Sequence, residues 1–499
     1  MRPAPGGWRV GLGGIDTGIV VLYLVGMLAI GWVVSRRIGS FEDWFLAGRR
    51  MTTPVLVCTL VSTYYGLDVT FGTSETAFYE GVAAFFAYSA PFYLAYLAMA
   101  MLVAPRLRRL PVASLPEAMG HFYGRPARVA GAVASFVYSA PILAVWGMGL
   151  VGHVAFGWDV VAGAAAGAAF SLVYTILGGL WADALTDTVQ FVIMCVSVAV
   201  AALVVLLRYG PPESVAANLE PTMLEPFGQL GLVEILVFAG AALTPLVEPA
   251  FYQRTFAARS TRSVVKALLI GIVLWVAYDW LVVYLGLTGQ ALVASGELPA
   301  DVEGKTSLLH VIGHVLPVGF VGLFYAGCLA AAMSTIDSYT LIAAGNLVYD
   351  AWPALGGRPL SDRAMLRASR LFTIVTLVVS LWLALAYDRV RDAWIFMATL
   401  LLSTALVPMM MALFRSSRPS RRGGQLAAVV GLGASVLLFA AFFAFGTFHP
   451  EEETLTLGIE IGGFAHVMER EETLLLTVPL SFAAYVVGAL LDRRRREVA

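Results

Sequence analysis

Charge is scarce in this 499-residue chain: only 13% of its residues are Asp, Glu, Lys or Arg, against 59% hydrophobic types and a mean hydropathy of +0.81. Soluble domains carry about 25% charge, so a water-soluble globular fold is excluded before any motif is read. Cysteine is equally sparse. Cys58, Cys195 and Cys328 each sit inside an apolar run, which reads as a small buried hydrophobe and excludes a disulfide framework. The six histidines include no His-Glu-x-x-His and no Ser/His pairing near a polar break, so a metalloprotease or a hydrolase is not expected. No repeated pore loop argues for a channel. The segment up to Asp16 lacks the charged start and small-residue cleavage site of a signal peptide, and the first apolar run is expected to remain as a helix.

What is present is a succession of apolar stretches of about 20 residues, enough to cross a roughly 30 Å hydrocarbon layer. They predict thirteen helices, over residues 15–34, 53–78, 83–104, 127–152, 160–181, 185–207, 229–250, 265–288, 316–349, 370–388, 392–414, 425–447 and 473–491. The run at 316–349 reads either as one long helix or as a re-entrant piece followed by a helix. No segment is left for a soluble domain, so residues 1–499 are expected to form one transmembrane unit in an all-α polytopic membrane protein.

Alternate loops differ sharply in basic residues. One set holds Arg36, Arg37, Arg49, Arg50, the cluster from Arg106 to Arg128, Arg254 to Lys266, Arg358 to Arg370, Arg415 to Arg422 and Arg493 to Arg496, together 25 of the 32 Lys and Arg residues. The opposite set keeps Arg2, Arg9, Arg208, Lys305, Arg389, Arg391 and Arg470, and its last loop is acidic through Glu451, Glu452 and Glu453 and Glu469, Glu471 and Glu472. By the positive-inside rule the N-terminus lies outside and the C-terminus inside the cytoplasmic membrane.

Two spans carry polar groups or prolines where a lipid-facing helix would not. The second contains Ser62-Thr63-Tyr64-Tyr65-Gly66-Leu67-Asp68, and the seventh contains Thr244-Pro245-Leu246-Val247-Glu248-Pro249. Two prolines four apart remove two backbone donors, and a chain that must satisfy its backbone internally tolerates this only beside a cavity. The spans are five apart, as two inverted repeats of five helices would place them, over 53–207 and 229–414. The helix at 15–34 is then an addition before the repeats, and 425–499 holds two more helices and a basic tail. The plainer alternative is that each segment merely kinks its helix.

Several strings resemble the sodium/solute symporters, the family of sodium/proline, sodium/sialic acid and sodium/glucose cotransporters. In order they are Asp43-Trp44-Phe45-Leu46-Ala47-Gly48-Arg49-Arg50-Met51, Tyr174-Thr175-Ile176-Leu177-Gly178-Gly179-Leu180-Trp181, Thr186-Asp187-Thr188-Val189-Gln190, Gln253-Arg254-Thr255-Phe256-Ala257-Ala258 and Leu329-Ala330-Ala331-Ala332-Met333-Ser334-Thr335-Ile336-Asp337-Ser338. The resemblance implies a LeuT-like core of five plus five helices, broken in its first and sixth, and sodium-coupled symport of a small organic solute by alternating access. It also implies a sodium ion held by Ser62 and Tyr65 on the broken helix and by Ala331, Ser334 and Thr335 on the eighth core helix. The last three, at i, i+3 and i+4, share a helix face, and a hard cation takes neutral oxygens. The local alternative is that the two hydroxyls bond back to their own helix carbonyls.

A second cation or proton site is implied at Asp187, Asp337 and Ser338, although an acid at Asp337 departs from the hydroxyl the family pattern expects. Two carboxylates at one site repel unless a proton or cation intervenes. Alternatively Asp187 pairs at the cytoplasmic mouth near Arg36 or Arg254. For substrate, Tyr64, Val69 and Tyr88 stand where sugar carriers place polar groups, so a sugar is disfavoured. The substrate-binding candidates are Tyr64, Asp68, Trp146 and Glu248, and their acids favour an amine-bearing or amino-acid-like solute. The expected partners are thus a small molecule, sodium and the lipid bilayer. Rival readings are a proton-coupled or uncoupled carrier on the same scaffold, and a transporter-like membrane sensor, which would need an appended signalling segment.

The orientation is open to a direct check. Single cysteines at Ser417 and Thr454, in a background lacking Cys58, Cys195 and Cys328, should react with an impermeant maleimide from opposite faces; reaction from the same face would refute the span count.

Overall fold

The computed structural model describes residues 11–35, 40–358, 360–384, 390–414, 419–449, 454–461 and 464–498. The loop arginines Arg36, Arg37, Arg389, Arg415 and Arg418 lie outside them. Among the described residues, eleven helices are long and apolar enough to cross a membrane, twelve if the bent pair Thr53–Tyr64 and Val69–Glu80 is one more span. The fifth expected span begins with the apolar helical stretch Val160–Val173. It leads without an intervening loop into the sixth, the two forming one element, Val160–Tyr209, that leaves helical geometry at Gly179 (φ 52°, ψ −156°).

The ninth span is one helix, Phe320–Gly345, continued by a wider π-helical turn, Asn346–Ala351. It is the centre of the molecule. In the span Phe320–Ala354, 83% of the most apolar window is buried, against 28% in Gly14–Val33, Asp362–Ala384 and Arg470–Arg493. Around it pack Val160–Tyr209, Thr53–Tyr64 and Gly14–Ser35. The peripheral helices turn large apolar side chains outward, among them Leu22, Leu207, Leu437 and Phe445. On a soluble protein such surface would aggregate; against lipid it is the expected outer face.

Both expected breaks are present. The second span is bent by 52° between its halves, with Tyr65 (ψ 60°) and the extended Gly66 (ψ 177°) between Thr53–Tyr64 and Leu67–Glu80. In the seventh, Leu232–Ala241 gives way to a 3-10 turn, Thr244–Leu246, and a new helix, Pro249–Ala257. Each proline sits in the first turn of its element, where its missing N–H would have had no helical partner anyway. The Glu248 carboxylate caps the new helix, accepting from the Phe251 N–H at 2.8 Å.

Three of the strings quoted above meet at the arginine-rich end. Trp44 and Phe45, on the short helix Phe41–Leu46, are fully buried. Trp44 lies over Gly179, where an added Cβ would come within 2.4 Å of its ring and 2.5 Å of its carbonyl oxygen, and Phe45 lies over Gly345. Gln253 Nε2 donates to the Phe45 carbonyl at 2.9 Å, and Met51 pairs in parallel with Ala258. These contacts close that end of the molecule.

One element was not anticipated: between the last two spans, Thr447–His449, Thr454–Ile461 and Phe464–Glu469 form an antiparallel sheet, with Thr447 opposite Thr456 and Leu457 opposite Met468.

Gly179 combines a conformation essentially reserved for glycine with contact too close for a methyl group. Gly179→Ala should lower the thermal midpoint of the purified protein by several degrees. Gly18→Ala, where nothing lies within 4 Å of the added carbon, should leave it unchanged or slightly raised; equal effects of the two would remove Gly179 from this role.

Candidate substrate cavity and buried ion cluster

A cavity of about 630 Å³ runs from the broken second span toward the end of the molecule opposite the Trp44 seal. Thr63, Tyr64, Tyr65 and Thr335 line one part of it, and Glu80, Glu303 and Lys305 another. Its walls are largely aromatic: Tyr88, Phe92, Tyr96, Tyr138, Trp146, Tyr339 and Trp394 all contribute. Tyr64 is wedged between Phe251 (ring centroids 4.9 Å) and Tyr96 (5.4 Å, edge to face). Tyr65 stacks on Trp275 at 5.9 Å. Such packing fixes the ring faces and suits an apolar or cationic group better than a polyol.

Of the four expected substrate residues, Tyr64 and Trp146 do line this cavity. The side chain of Asp68 lies outside the described residues. Glu248 is fully buried but is not in the cavity wall, and one of its oxygens is committed to capping. Asp279, in the middle of the helix Thr261–Ala294, was not assigned from the sequence, and it is one of the residues of the cavity wall. The signal was available as a single acid inside a long apolar run, which in a membrane span points to function by default.

Beneath the cavity a second group of buried polar side chains joins four helices. Thr335 Oγ1 donates to the Ala331 carbonyl at 3.1 Å and to the Thr63 carbonyl at 3.2 Å, tying the ninth span to the broken end of the second. The end of Thr53–Tyr64 leaves carbonyls without helical partners, so the neighbouring carbonyls of Ser62 and Tyr65 are of the type a cation would use. Ser334 Oγ donates to Asp187 Oδ1 at 2.6 Å. With its proton committed there, its lone pairs remain available to a cation. The Ser62 hydroxyl itself bonds back to the Cys58 carbonyl at 2.8 Å.

Asp187 also accepts from Thr59 at 2.5 Å and Thr63 at 3.4 Å. Asp183, one helical turn earlier on the same face, shares its hydroxyl network. Arg254 forms a salt bridge with Asp183 at 3.0 Å, both side chains being almost completely buried. The same Arg254 nitrogen donates to Thr59 (3.2 Å), Thr63 (3.1 Å) and Ser338 (2.5 Å). Ser338 in turn donates to Asp183 at 2.8 Å, and Gln253 accepts from Arg254 at 2.8 Å. Asp337 instead takes a 2.6 Å hydrogen bond from Thr175. Thus of the trio Asp187, Asp337 and Ser338, the structure brings Asp187 and Ser338 into one network, which also holds Arg254, the alternative partner named for Asp187, and Asp183, which sequence reasoning did not assign.

Residues 44–431 match the model of the sodium:solute symporter family. The sodium/glucose cotransporter 4 of Danio rerio is 24% identical over 480 residues, covering 87% of this chain and 72% of its own. The osmoregulated proline transporter OpuE of Bacillus subtilis (strain 168) is 24% identical over 397 residues, 75% of this chain and 79% of its own. The sodium/proline symporter of Staphylococcus aureus is 30% identical over 238 residues, 46% of each chain. Among solved structures, a Na+-coupled sialic acid symporter in a substrate-bound outward-open state superposes with a TM-score of 0.78 over 96% of this chain and 98% of its own, at 17% identity. A nucleobase-cation-symport-1 family transporter in a closed conformation with bromovinylhydantoin bound gives 0.52 at 13% identity, over 90% of this chain and 95% of its own. At these identities the likeness is one of fold.

Removing one partner of a buried ion pair leaves an uncompensated charge and costs about 3–5 kcal/mol, whereas removing both is far cheaper. Arg254→Met should therefore destabilise the protein strongly in thermal unfolding, and adding Asp183→Asn should restore most of the loss. A double variant no more stable than Arg254→Met would mean that the pair is not the coupling seen here.

Proposed function

The chain belongs to the sodium:solute symporter family, and from that premise we propose that it carries a non-sugar, amine-bearing organic solute into the cell together with sodium. It is a secondary transporter with a LeuT-like fold and no enzyme. It is an integral membrane protein, and the loop charges support an N-terminus outside and a C-terminus inside. On that orientation the cavity opens outward and the Trp44 seal closes the cytoplasmic end.

The observation that carries the reading is the junction of two helices at one point: Thr335 on the unbroken ninth span donating to the Thr63 carbonyl at the break of the second. The proposed coupling site is composed of the Ser62, Tyr65 and Ala331 carbonyls with the Ser334 and Thr335 hydroxyls, five neutral oxygens suited to a monovalent hard cation. A sodium ion there would join the two helices more firmly than the hydroxyl alone, and would do so directly under the cavity. That adjacency links ion occupancy to the shape of the substrate site, which is what symport requires. One sodium falling through about 100 mV releases roughly 2.3 kcal/mol, and a tenfold gradient adds roughly 1.4 kcal/mol. Together they sustain roughly several-hundredfold accumulation of a neutral solute, so a single ion suffices.

The names of the relatives divide between proline and glucose. Here the aromatic wall favours the amine-bearing kind, because Tyr64, Tyr88 and Trp146 offer ring faces rather than the several hydrogen-bonding groups a polyol needs. A proton-coupled carrier is the second reading, favoured by the buried acids Asp183 and Asp187 within one network.

Sodium titrations of the purified protein, followed by thermal shift with potassium as the replacing ion, test the coupling site. Ser334→Ala and Thr335→Ala should each raise the half-maximal sodium concentration about tenfold or more, equivalent to about 1.4 kcal/mol. Identical stabilisation of the unsubstituted protein by sodium and potassium would refute sodium coupling.

A further inference from the structure

We propose that Asp279 is the anchor for the positively charged nitrogen of the substrate, which makes the solute an organic ammonium. Asp279 is 1% exposed, and one of its oxygens, Oδ2, accepts the hydroxyl proton of Tyr93. The other, Oδ1, is fully buried and has no hydrogen-bond partner among the described residues, while the residue as a whole lines the cavity. Its remaining polar neighbours are the hydroxyls of Tyr65 and Ser89. No Lys or Arg among the described residues lies within ion-pair distance of it; the one basic residue in the cavity wall, Lys305, is paired with Glu303 at 2.7 Å. A buried carboxylate in the middle of a membrane helix, with one oxygen unpartnered and its residue in a cavity wall, calls for a cationic partner that enters through that cavity.

The surroundings choose between an inorganic and an organic cation. Sodium needs five or six oxygens, several of them usually carbonyls, and the helix Thr261–Ala294 is unbroken at Asp279, so it frees none. What stands beside Asp279 instead is aromatic surface. The Tyr65 and Tyr93 hydroxyls are 3.2 Å apart, Tyr65 meets Tyr278 edge to face at 5.2 Å, and Tyr96 lies 4.4 Å from Trp275. A carboxylate among ring faces is the arrangement that recognises a methylated or alkyl ammonium. The charge of the cavity wall agrees, with Glu75, Glu80, Asp279 and Glu303 against Lys305. The sodium site and the ammonium site share only Tyr65, whose carbonyl belongs to the first and whose ring and hydroxyl stand beside the second. This assignment deepens the symport reading and rests on it only for the requirement that sodium accompany the solute.

Two pairs of probes, each an ammonium and its uncharged isostere, test the assignment by thermal shift in sodium and in potassium: choline against 3,3-dimethylbutanol, and phenethylamine against 2-phenylethanol. The expected result is stabilisation by at least one ammonium in sodium, none by its isostere, and at least a tenfold weaker effect in Asp279→Asn. Asp279→Glu, which keeps the charge, should retain part of the effect. A preserved response of Asp279→Asn to sodium alone shows that this variant is folded, and Tyr93→Phe, which also leaves the carboxylate in place, should still bind the ammonium. Equal stabilisation by ammonium and isostere, full ammonium binding by Asp279→Asn, or no effect of either ammonium on the unsubstituted protein overturns the proposal. The two readings fail separately: no ammonium response in the unsubstituted protein, or an undiminished one in Asp279→Asn, with the sodium response intact removes Asp279 alone, whereas no sodium-specific response in the unsubstituted protein removes sodium coupling.

Discussion

Hydrocarbon offers the backbone no hydrogen-bond partner, and every departure from regular helix in this protein has to be satisfied from within. That requirement explains where the irregularities lie. The bend between Tyr64 and Leu67 faces the most buried helix, where Thr335 supplies a donor to an open carbonyl. The break before Pro249 is capped by Glu248, a carboxylate taking the place of the missing turn. Breaks cost least where side chains of neighbouring helices complete them, and those are also the places where a transported ion can act as one more partner.

Charge, too, is satisfied from within. Asp183, Asp187 and Arg254 are buried together, and their separation from water is offset by a continuous set of hydroxyls from Thr59, Thr63, Ser334 and Ser338. These groups come from the second, sixth, seventh and ninth spans, so the ionic cluster fastens both halves of the fold at one level. Such a network specifies geometry more than it adds stability, since the desolvation of the Arg254–Asp183 pair consumes most of what its attraction provides. Its value is that Ser334, one of the hydroxyls proposed to hold sodium, is oriented by Asp187, and Asp187 is in turn tied through Thr63 and Thr59 to Arg254.

Much of this was legible in the residues. Apolar runs located the helices, because length and hydropathy are what lipid selects, and the polar and proline-containing interruptions located both breaks. Helix ends were less accurate: Thr261–Ala294 extends beyond the apolar run at 265–288 on both sides, since helices continue past the hydrocarbon where backbone pairing still favours them. The sheet at Thr454–Ile461 lies in an acidic connection between two spans, where membrane hydropathy gives no signal, although its Thr-Leu-Thr-Leu-Gly-Ile-Glu-Ile alternates with the period of a strand. Side-chain pairings were the least legible. Asp337 and Ser338 are adjacent in sequence but point about 100° apart around a helix, so one meets Thr175 and the other Asp183. The assignment of acids to partners therefore required three dimensions.

The closed end of the molecule is made differently from the ionic cluster. Trp44 fits over Gly179 and Phe45 over Gly345, so large rings fill the spaces left by absent side chains. Dispersion between close surfaces falls off within an ångström or so and is indifferent to ionic strength, unlike attraction between exposed charges. A plug of this kind behaves like a snap fastener: it holds at full strength until it parts, then holds hardly at all. Salt would not loosen it, and a partly opened intermediate would gain nothing from lingering.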